Sequence, residues 1–310
     1  MTHQTQEKTD NIKLAVSAIV LAVFALALGD ALIKQSSIDF TLWQIFIVRS
    51  GIAIPFLISF VRIRTCATPI KPENLFWTVL RSLILVFMWL LYYISLSHVA
   101  LAIAAAAFYT LPIFITLFAS LFLGNKVGVK GWTAVLLGFV GVLLILQPQA
   151  DDFNGYTLLP IGSAICYALA MILTRSKCRN EKPLVLSLWL NLSFVGVGLL
   201  AMLMIRLWQP SAAAVALNPF LLGEWTPMWN DEWRIMALLA IAIIIGSTFA
   251  AIAYQSGPPA MIASYDFFYV AFATILGFAF FDELPELVTV IGILLIAGGG
   301  ILAIRNQPRA

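Results

Sequence analysis

Ten apolar stretches run through this chain, each close to the roughly 20 residues that a helix needs to cross the hydrocarbon of a bilayer. They cover residues 12–33, 40–61, 74–96, 101–123, 129–147, 155–175, 184–206, 233–254, 259–281 and 287–304. Polar joints separate them, most of them short. The alternating segments of about ten residues that build a membrane barrel are absent. Lipid offers backbone groups no water, so spanning segments must satisfy their hydrogen bonds internally. The pattern therefore predicts an all-α integral membrane protein of ten transmembrane helices.

The pattern repeats. Residues 94–146 hold two apolar segments around the joint Gly124-Asn125-Lys126, and 158 residues later 252–304 hold two more around Asp282-Glu283-Leu284. Thr116/Thr274, Phe114/Phe272 and Gly141/Gly299 are identical at that offset. An internal repeat of about half the chain is a signature of many transporters. The expected division is 1–150 and 151–310, five spans each. Five is odd, so the second set enters the membrane in the opposite sense. The repeats are then inverted, related by a pseudo-twofold axis in the membrane plane.

Charge adds an orientation. Thirteen of the 18 lysines and arginines fall on one side of this map, from Lys8 and Lys13 through Arg175, Lys177, Arg179 and Lys182 to Arg305 and Arg309. Three (Lys34, Arg206, Arg234) fall on the other, with most of the acids. Positive residues stay inside, which places both termini in the cytoplasm. The longest joint, 207–232, carries three prolines and three tryptophans and reads as an outer interfacial cap.

Composition agrees with lipid as the solvent. The chain is 62% hydrophobic and 11% charged over 310 residues, where soluble domains carry about 25% charged residues. The net charge of +3 resides in membrane joints and calls for no nucleic-acid partner. Three cysteines form no disulfide or metal framework, and two histidines, His3 and His98, make a histidine metal site improbable. No P-loop or nucleophile elbow occurs, so no cofactor is expected and transport would be secondary or facilitated. The N-terminus lacks the apolar core of a removable signal peptide.

Polar groups inside spans are costly and commonly functional. Asp266 is the deepest carboxylate, about seven residues into the ninth span. It reads either as half of a structural pair, with Arg49 or a tyrosine, or as a substrate contact. Arg49 reads as a packing or carbonyl partner or as a ligand contact. Arg81 is expected to snorkel to the interface. Asp30 and Lys34 sit one turn apart as an ion pair. Asn191 reads as interhelical glue and His98 as solvated. Most tryptophans, Trp43 among them, suit an interfacial belt. Mid-span aromatics with a hydroxyl to satisfy suit a cavity better. Trp89, Tyr93, Tyr109, Tyr167, Tyr254, Tyr265 and Asp266 are therefore expected to line one, with Tyr254 at a span end. At the repeat offset Ala107 faces Tyr265 and Phe108 faces Asp266, so the two walls would differ chemically.

These residues resemble a known family. Arg49 in IVRSG, Arg81 in VLRSL, Pro112, the joint LFLGNK and the closing glycines Gly138/Gly141 and Gly292/Gly299 look like the ten-helix branch of the drug/metabolite transporter superfamily, with two EamA-type repeats. Glu283 matches the family's glutamate after the joint; Asn125 departs from it, and the first span lacks a tryptophan often present there. The likeness is nearest to aromatic-amino-acid exporters. It implies a multi-pass protein of a bacterial inner membrane that exports amino acids, aromatic or otherwise apolar, or related small metabolites by alternating access without ATP. A transporter of a vitamin, a nucleotide-linked metabolite or a drug-like cation is the alternative. An integral membrane enzyme would need a compact set of acid, base or nucleophile at one interface, and the sequence offers none. The expected partners are a small-molecule substrate and the lipid bilayer, with no obligatory proton coupling and no oligomeric state set by any pattern.

Overall fold

The computed structural model describes residues 10–36, 40–64, 71–95, 98–99, 101–124, 127–148, 155–281 and 287–305. Asn125, Lys126, Asp282, Glu283 and the side chains of Asp30 and Lys34 lie outside the described residues.

Every regular element among the described residues is a helix. Seven spans are single helices: α1 (Ile12–Ser36), α2 (Leu42–Arg64), α3 (Leu75–Ser95), α6 (Val129–Leu146), α7 (Leu158–Ser176), α8 (Pro183–Trp208) and α11 (Asn230–Ser256). The fourth and ninth spans are each two helices, α4 (Leu101–Phe108) with α5 (Leu111–Leu123), and α12 (Pro259–Asp266) with α13 (Phe268–Phe281). The chain of spans closes with α14 (Leu287–Arg305). Nine stretches have an apolar window long enough to cross a membrane; Leu287–Ala303 is apolar but shorter.

The two interruptions differ from the expectation of continuous helices, and they occupy equivalent places. Tyr109 and Phe267 both interrupt helix, and they are 158 positions apart, the repeat offset. In span four the cause is Pro112. It has no N–H to donate to Phe108, and its ring disfavours helical backbone just before it. Thr110 turns its hydroxyl back to the Ala107 carbonyl (2.6 Å). Span nine has no proline there. Instead the Phe267 ring fills the space above Gly138 on α6, where any Cβ would collide with it.

The packing shows the inversion directly. α1 lies on α11 and α3 on α7; α1 also meets α12 and α13, as α7 meets α4 and α5. Exchanging the repeats turns each of these pairings into the other. The pairs α2–α8 and α6–α14 map onto themselves. At the α6–α14 crossing, a Cβ on Gly141 would stand 2.6 Å from the Gly292 carbonyl oxygen, and one on Gly299 would stand 2.8 Å from that of Ala134. As position numbers rise along α6 they fall along α14, so the two helices run antiparallel. The offset of 158 carries Gly141 to Gly299 and Ala134 to Gly292, so the two contacts exchange. An axis that exchanges antiparallel helices is perpendicular to both, hence in the membrane plane. Without a hydrophobic drive between helices in lipid, such small residues allow the close backbone approach that holds them together.

The main core lies between the halves. It joins Ile19 of α1, Phe46 of α2, Val86 of α3, Ile115 of α5, Ala168 of α7, Phe194 of α8, Tyr254 of α11 and Ile262 of α12. Residues 207–232 form two short helices, α9 (Ala212–Leu217) and α10 (Pro219–Leu222), and an extended segment. The segment is pinned to α2. The Trp43 indole donates to the Leu221 carbonyl (2.7 Å), and the Gln44 amide exchanges two hydrogen bonds with the Thr226 backbone (2.6 and 2.9 Å). Trp43 is thus a fastening of the cap rather than a free member of an interfacial belt.

Candidate functional site

Asp266 is the last residue of α12, at the interruption of span nine. The break ends the helix beside the core and presents a carboxylate where a continuous helix would bury another backbone turn. Two hydroxyls meet it. Tyr254, in the last turn of α11, donates to Oδ2. Tyr167, midway along α7, donates to Oδ1 at 3.3 Å. Tyr254 is 0% exposed and Asp266 4%. Hydrogen bonds to a charged group contribute roughly 1.5–3 kcal/mol each, and a buried carboxylate without them is very costly. Among the described residues no cation stands within ion-pair distance of Asp266. Three helices from the second repeat thus converge on one acid.

The other expected site residues fall into separate groups. Trp89 and Tyr93 stack on one another, ring centroids 5.3 Å apart, on the α3 face that packs against the main core. Tyr93 also meets Phe220 of the cap (5.6 Å). Phe108, at the end of α4, lies edge-on to Tyr167 (6.3 Å) and close to Tyr92 (5.1 Å). Trp89, Tyr93 and Tyr167 are half-buried. Tyr109 sits in a second cluster with Phe267, Val142 and Ile296, and its ring meets Tyr269 at 5.8 Å. Tyr265 belongs to the main core, but its hydroxyl donates to the Gly300 carbonyl of α14 (2.7 Å). It fastens α12 to α14. The acid and its two tyrosines therefore form one group and the stacked Trp89 and Tyr93 another, while Tyr109 shares a cluster with Phe267 at the break and Tyr265 lies just before it.

Two arginines complete the interior. Arg49 is buried, with its guanidinium over the Phe194 ring (5.0 Å) and near that of Phe46 (5.7 Å). Arg81 corrects the sequence expectation. It is 1% exposed and does not reach the interface; its Nε donates to Thr174 Oγ1 of α7 at 2.9 Å. The antiparallel fit of α3 on α7 places it inward. Asn191 is fully buried, its amide donating to the Ser187 carbonyl one turn back (2.9 Å). His98 is exposed and stacks on Tyr156 (4.1 Å).

A polar latch joins the repeats at the end of the bundle where α1 begins. Asp10 accepts from Arg175 Nη2 (2.7 and 2.8 Å) and from Arg179 Nη2 (2.7 Å). The Asn11 N–H donates to the Ser256 carbonyl (2.8 Å), and Arg175 Nη1 to that of Gln255 (2.9 Å). The Gln255 amide, adjacent to Tyr254, donates to the carbonyls of Cys178 (2.6 Å) and Glu181 (2.8 Å). The Glu181 carboxylate accepts the N–H groups of Glu73 (3.1 Å) and Asn74 (2.6 Å) ahead of α3. The sequence carried no signal for this network beyond its basic joint. Among the described residues no three His, Cys, Asp or Glu side chains group as metal ligands.

The fold is that of a multi-pass membrane protein, with a buried acid–tyrosine group among α7, α11 and α12. The model of the EamA-like transporter family matches residues 13–147 and 154–305, and the chain belongs to that family. It is a carrier rather than an enzyme. Relatives narrow the comparison. A riboflavin transporter of Vibrio cholerae is 28% identical over 228 residues, 72% of this chain and 75% of that protein. The pseudopaline exporter CntI of Pseudomonas aeruginosa is 23% identical over 307 residues, 96% of this chain and 98% of its own. An S-adenosylmethionine uptake transporter of Rickettsia bellii is 24% identical over 271 residues, 86% and 83% of the two chains. A solved structure described only as "Crystal structure of protein" superposes with TM-score 0.73 at 17% identity, covering 95% of this chain and 98% of that one; it shows the same fold. The family agrees with the motifs; these three relatives are named for riboflavin, pseudopaline and S-adenosylmethionine, not for aromatic amino acids.

Proposed function

We propose that this protein carries a small ring-bearing metabolite, of the vitamin or nucleoside-linked kind, across the membrane through a path centred on Asp266, Tyr254 and Tyr167. The observation that carries the reading is the buried carboxylate held by two tyrosine hydroxyls at the break of span nine. Hydroxyls can release an acid to a solute donor and take it back, which a salt bridge does less readily. The stacked Trp89 and Tyr93 supply flat faces for a ring. Relatives named for riboflavin and S-adenosylmethionine fit such a surface better than the amino-acid exporter reading does. In this reading Trp89, Tyr93, Tyr109, Tyr167, Tyr254, Tyr265 and Asp266 surround the path, which lies between the five-span halves 1–150 and 151–310 near the midplane. Both termini face the cytoplasm of a bacterial inner membrane. Transport is downhill, by alternating access, with Asp266 serving solute contact rather than obligatory proton coupling.

The test is uptake into proteoliposomes of radiolabelled riboflavin, S-adenosylmethionine, tryptophan and phenylalanine, with and without an imposed pH gradient. Saturable uptake of a ring-bearing vitamin or nucleoside-linked solute in the absence of a gradient is the expected result. Uptake of the amino acids alone refutes the solute class. Accumulation that requires the gradient refutes facilitated transport.

A further inference from the structure

Arg81 and Asp266 are two buried ionisable groups of one interior, one basic and one acidic, and neither has an ion-pair partner among the described residues. α7 joins them. Tyr167 donates to Asp266, and Thr174, on the same helix, accepts from Arg81. Seven residues are two helical turns, so Tyr167 and Thr174 leave one face of α7 from backbone positions about 10 Å apart. Along the chain Thr174, which holds Arg81, lies between Tyr167, which meets the acid, and Arg175, which makes the latch. Arg81 therefore stands between latch and acid.

Its hydrogen bonding is incomplete. Nε is taken by Thr174, whose own proton goes to the Ala170 carbonyl (2.8 Å). Nη1 is buried with no acceptor among the described residues. Thr174, the Cys178 thiol and the Tyr167 phenol are all uncharged groups. A guanidinium in an apolar interior costs several kcal/mol unless it is both paired and hydrogen-bonded. A water molecule would fill the donor and leave the charge. A carboxylate or phosphate would do both, in the forked geometry that arginine matches and lysine does not.

We infer that Arg81 is the anion-docking residue of the transport path, and that the solute carries a carboxylate or phosphate at one end and a hydrogen-bond donor or cation at the other, beside Asp266. This deepens the functional reading above and rests on Asp266 being a solute contact. It separates ring-bearing solutes with an anionic group from neutral ones such as riboflavin itself.

Two solute pairs differ by the anion alone: S-adenosylmethionine against its decarboxylated form, and riboflavin 5′-phosphate against riboflavin. Equilibrium binding is measured to the purified full chain in nanodiscs, as wild type, Arg81→Gln and Arg81→Lys. The expected result is that the anionic member of at least one pair binds wild type roughly tenfold to hundredfold tighter, that Gln abolishes the gap, and that Lys retains part of it. The pair that responds distinguishes carboxylate from phosphate. No gap in wild type, or a gap that survives in Gln, overturns the inference. If Gln does not fold, an unchanged gap in Lys overturns it. Thermal melts in millimolar phosphate or acetate against chloride provide a readout independent of the ring. If none of the four solutes binds, the ring-bearing reading fails by itself; stabilisation by either anion that is present in wild type and lost in Gln still supports Arg81, and its absence or persistence overturns it.

Discussion

Tyr254 and Asp266 are only 12 residues apart, yet they come from helices on either side of the Gly257-Pro258 turn, and the phenol donates to the acid inside the protein. Tyr167 completes the arrangement from α7 at 3.3 Å. The closer hydroxyl should matter more. Tyr254→Phe leaves Oδ2 of a buried acid without its donor and should cost about 1–3 kcal/mol of stability, with Tyr167→Phe at the lower end. Both should reduce solute uptake, Tyr254→Phe more. Thermal melts in detergent and initial uptake rates check the order; equal behaviour of Tyr167→Phe and Tyr254→Phe contradicts it.

The reciprocal approach of Gly141 and Gly292 leaves no room for side chains. Gly141→Ala or Gly292→Ala should cost about 1–3 kcal/mol by forcing α6 from α14. Gly196, where a Cβ meets nothing within 4 Å, is the control. A Gly196→Ala protein should melt as wild type does, and Gly141→Ala should melt lower.

Orientation rests on the lysine and arginine bias of 13 against 3. A fluorescent protein fused after Ala310 should be bright, and a periplasmic phosphatase at the same place silent. The reverse pattern sinks the orientation and the even number of spans together.

The latch predicts a thiol that is hard to reach. Cys178 is 0% exposed beneath Gln255, and burial pushes its thiol above the ordinary value, so less thiolate is present at neutral pH than for a free cysteine. Labelling should be slow near pH 7 and rise only at alkaline pH. The Asp10–Arg175 pair is partly exposed, so salt weakens it. In a background with the other two cysteines changed to serine, Asp10→Asn or Arg175→Gln should raise the maleimide labelling rate of Cys178 severalfold. An unchanged rate shows that the Asp10–Arg175 pair does not hold the network closed over Cys178.

Much of the fold was legible because lipid leaves few choices. Ten apolar runs, a repeat at 158 and an odd number of spans per half led to inverted halves; Gly141 and Gly299 were visible only as an identity at that offset and as family glycines, and their place at the crossing comes from the structure. The site was legible in part. Asp266 and Tyr167 stood out as polar groups deep in spans, and Tyr254, at the edge of its span, is nevertheless the closest partner of the acid. Neither interruption was expected, although Pro112, read only as a family motif, is the cause of one. Phe267 carried no such mark, since its break depends on Gly138 of another helix. Arg81 was misread because a cation near a helix start can snorkel or turn inward, and the partner that decides, Thr174, is 93 residues away.

The central claim is that Asp266 contacts the solute. Uptake of S-adenosylmethionine and riboflavin is measured in proteoliposomes for wild type and Asp266→Asn, matched for protein content and melting temperature, with and without a pH gradient. Asn keeps the shape and an acceptor but removes the charge. The account predicts that uptake of the transported solute falls roughly tenfold or more, as expected for loss of a charged hydrogen bond, equally with and without the gradient. Wild-type uptake by Asp266→Asn contradicts it, as does a defect confined to gradient-driven accumulation, which would make Asp266 the coupling group instead.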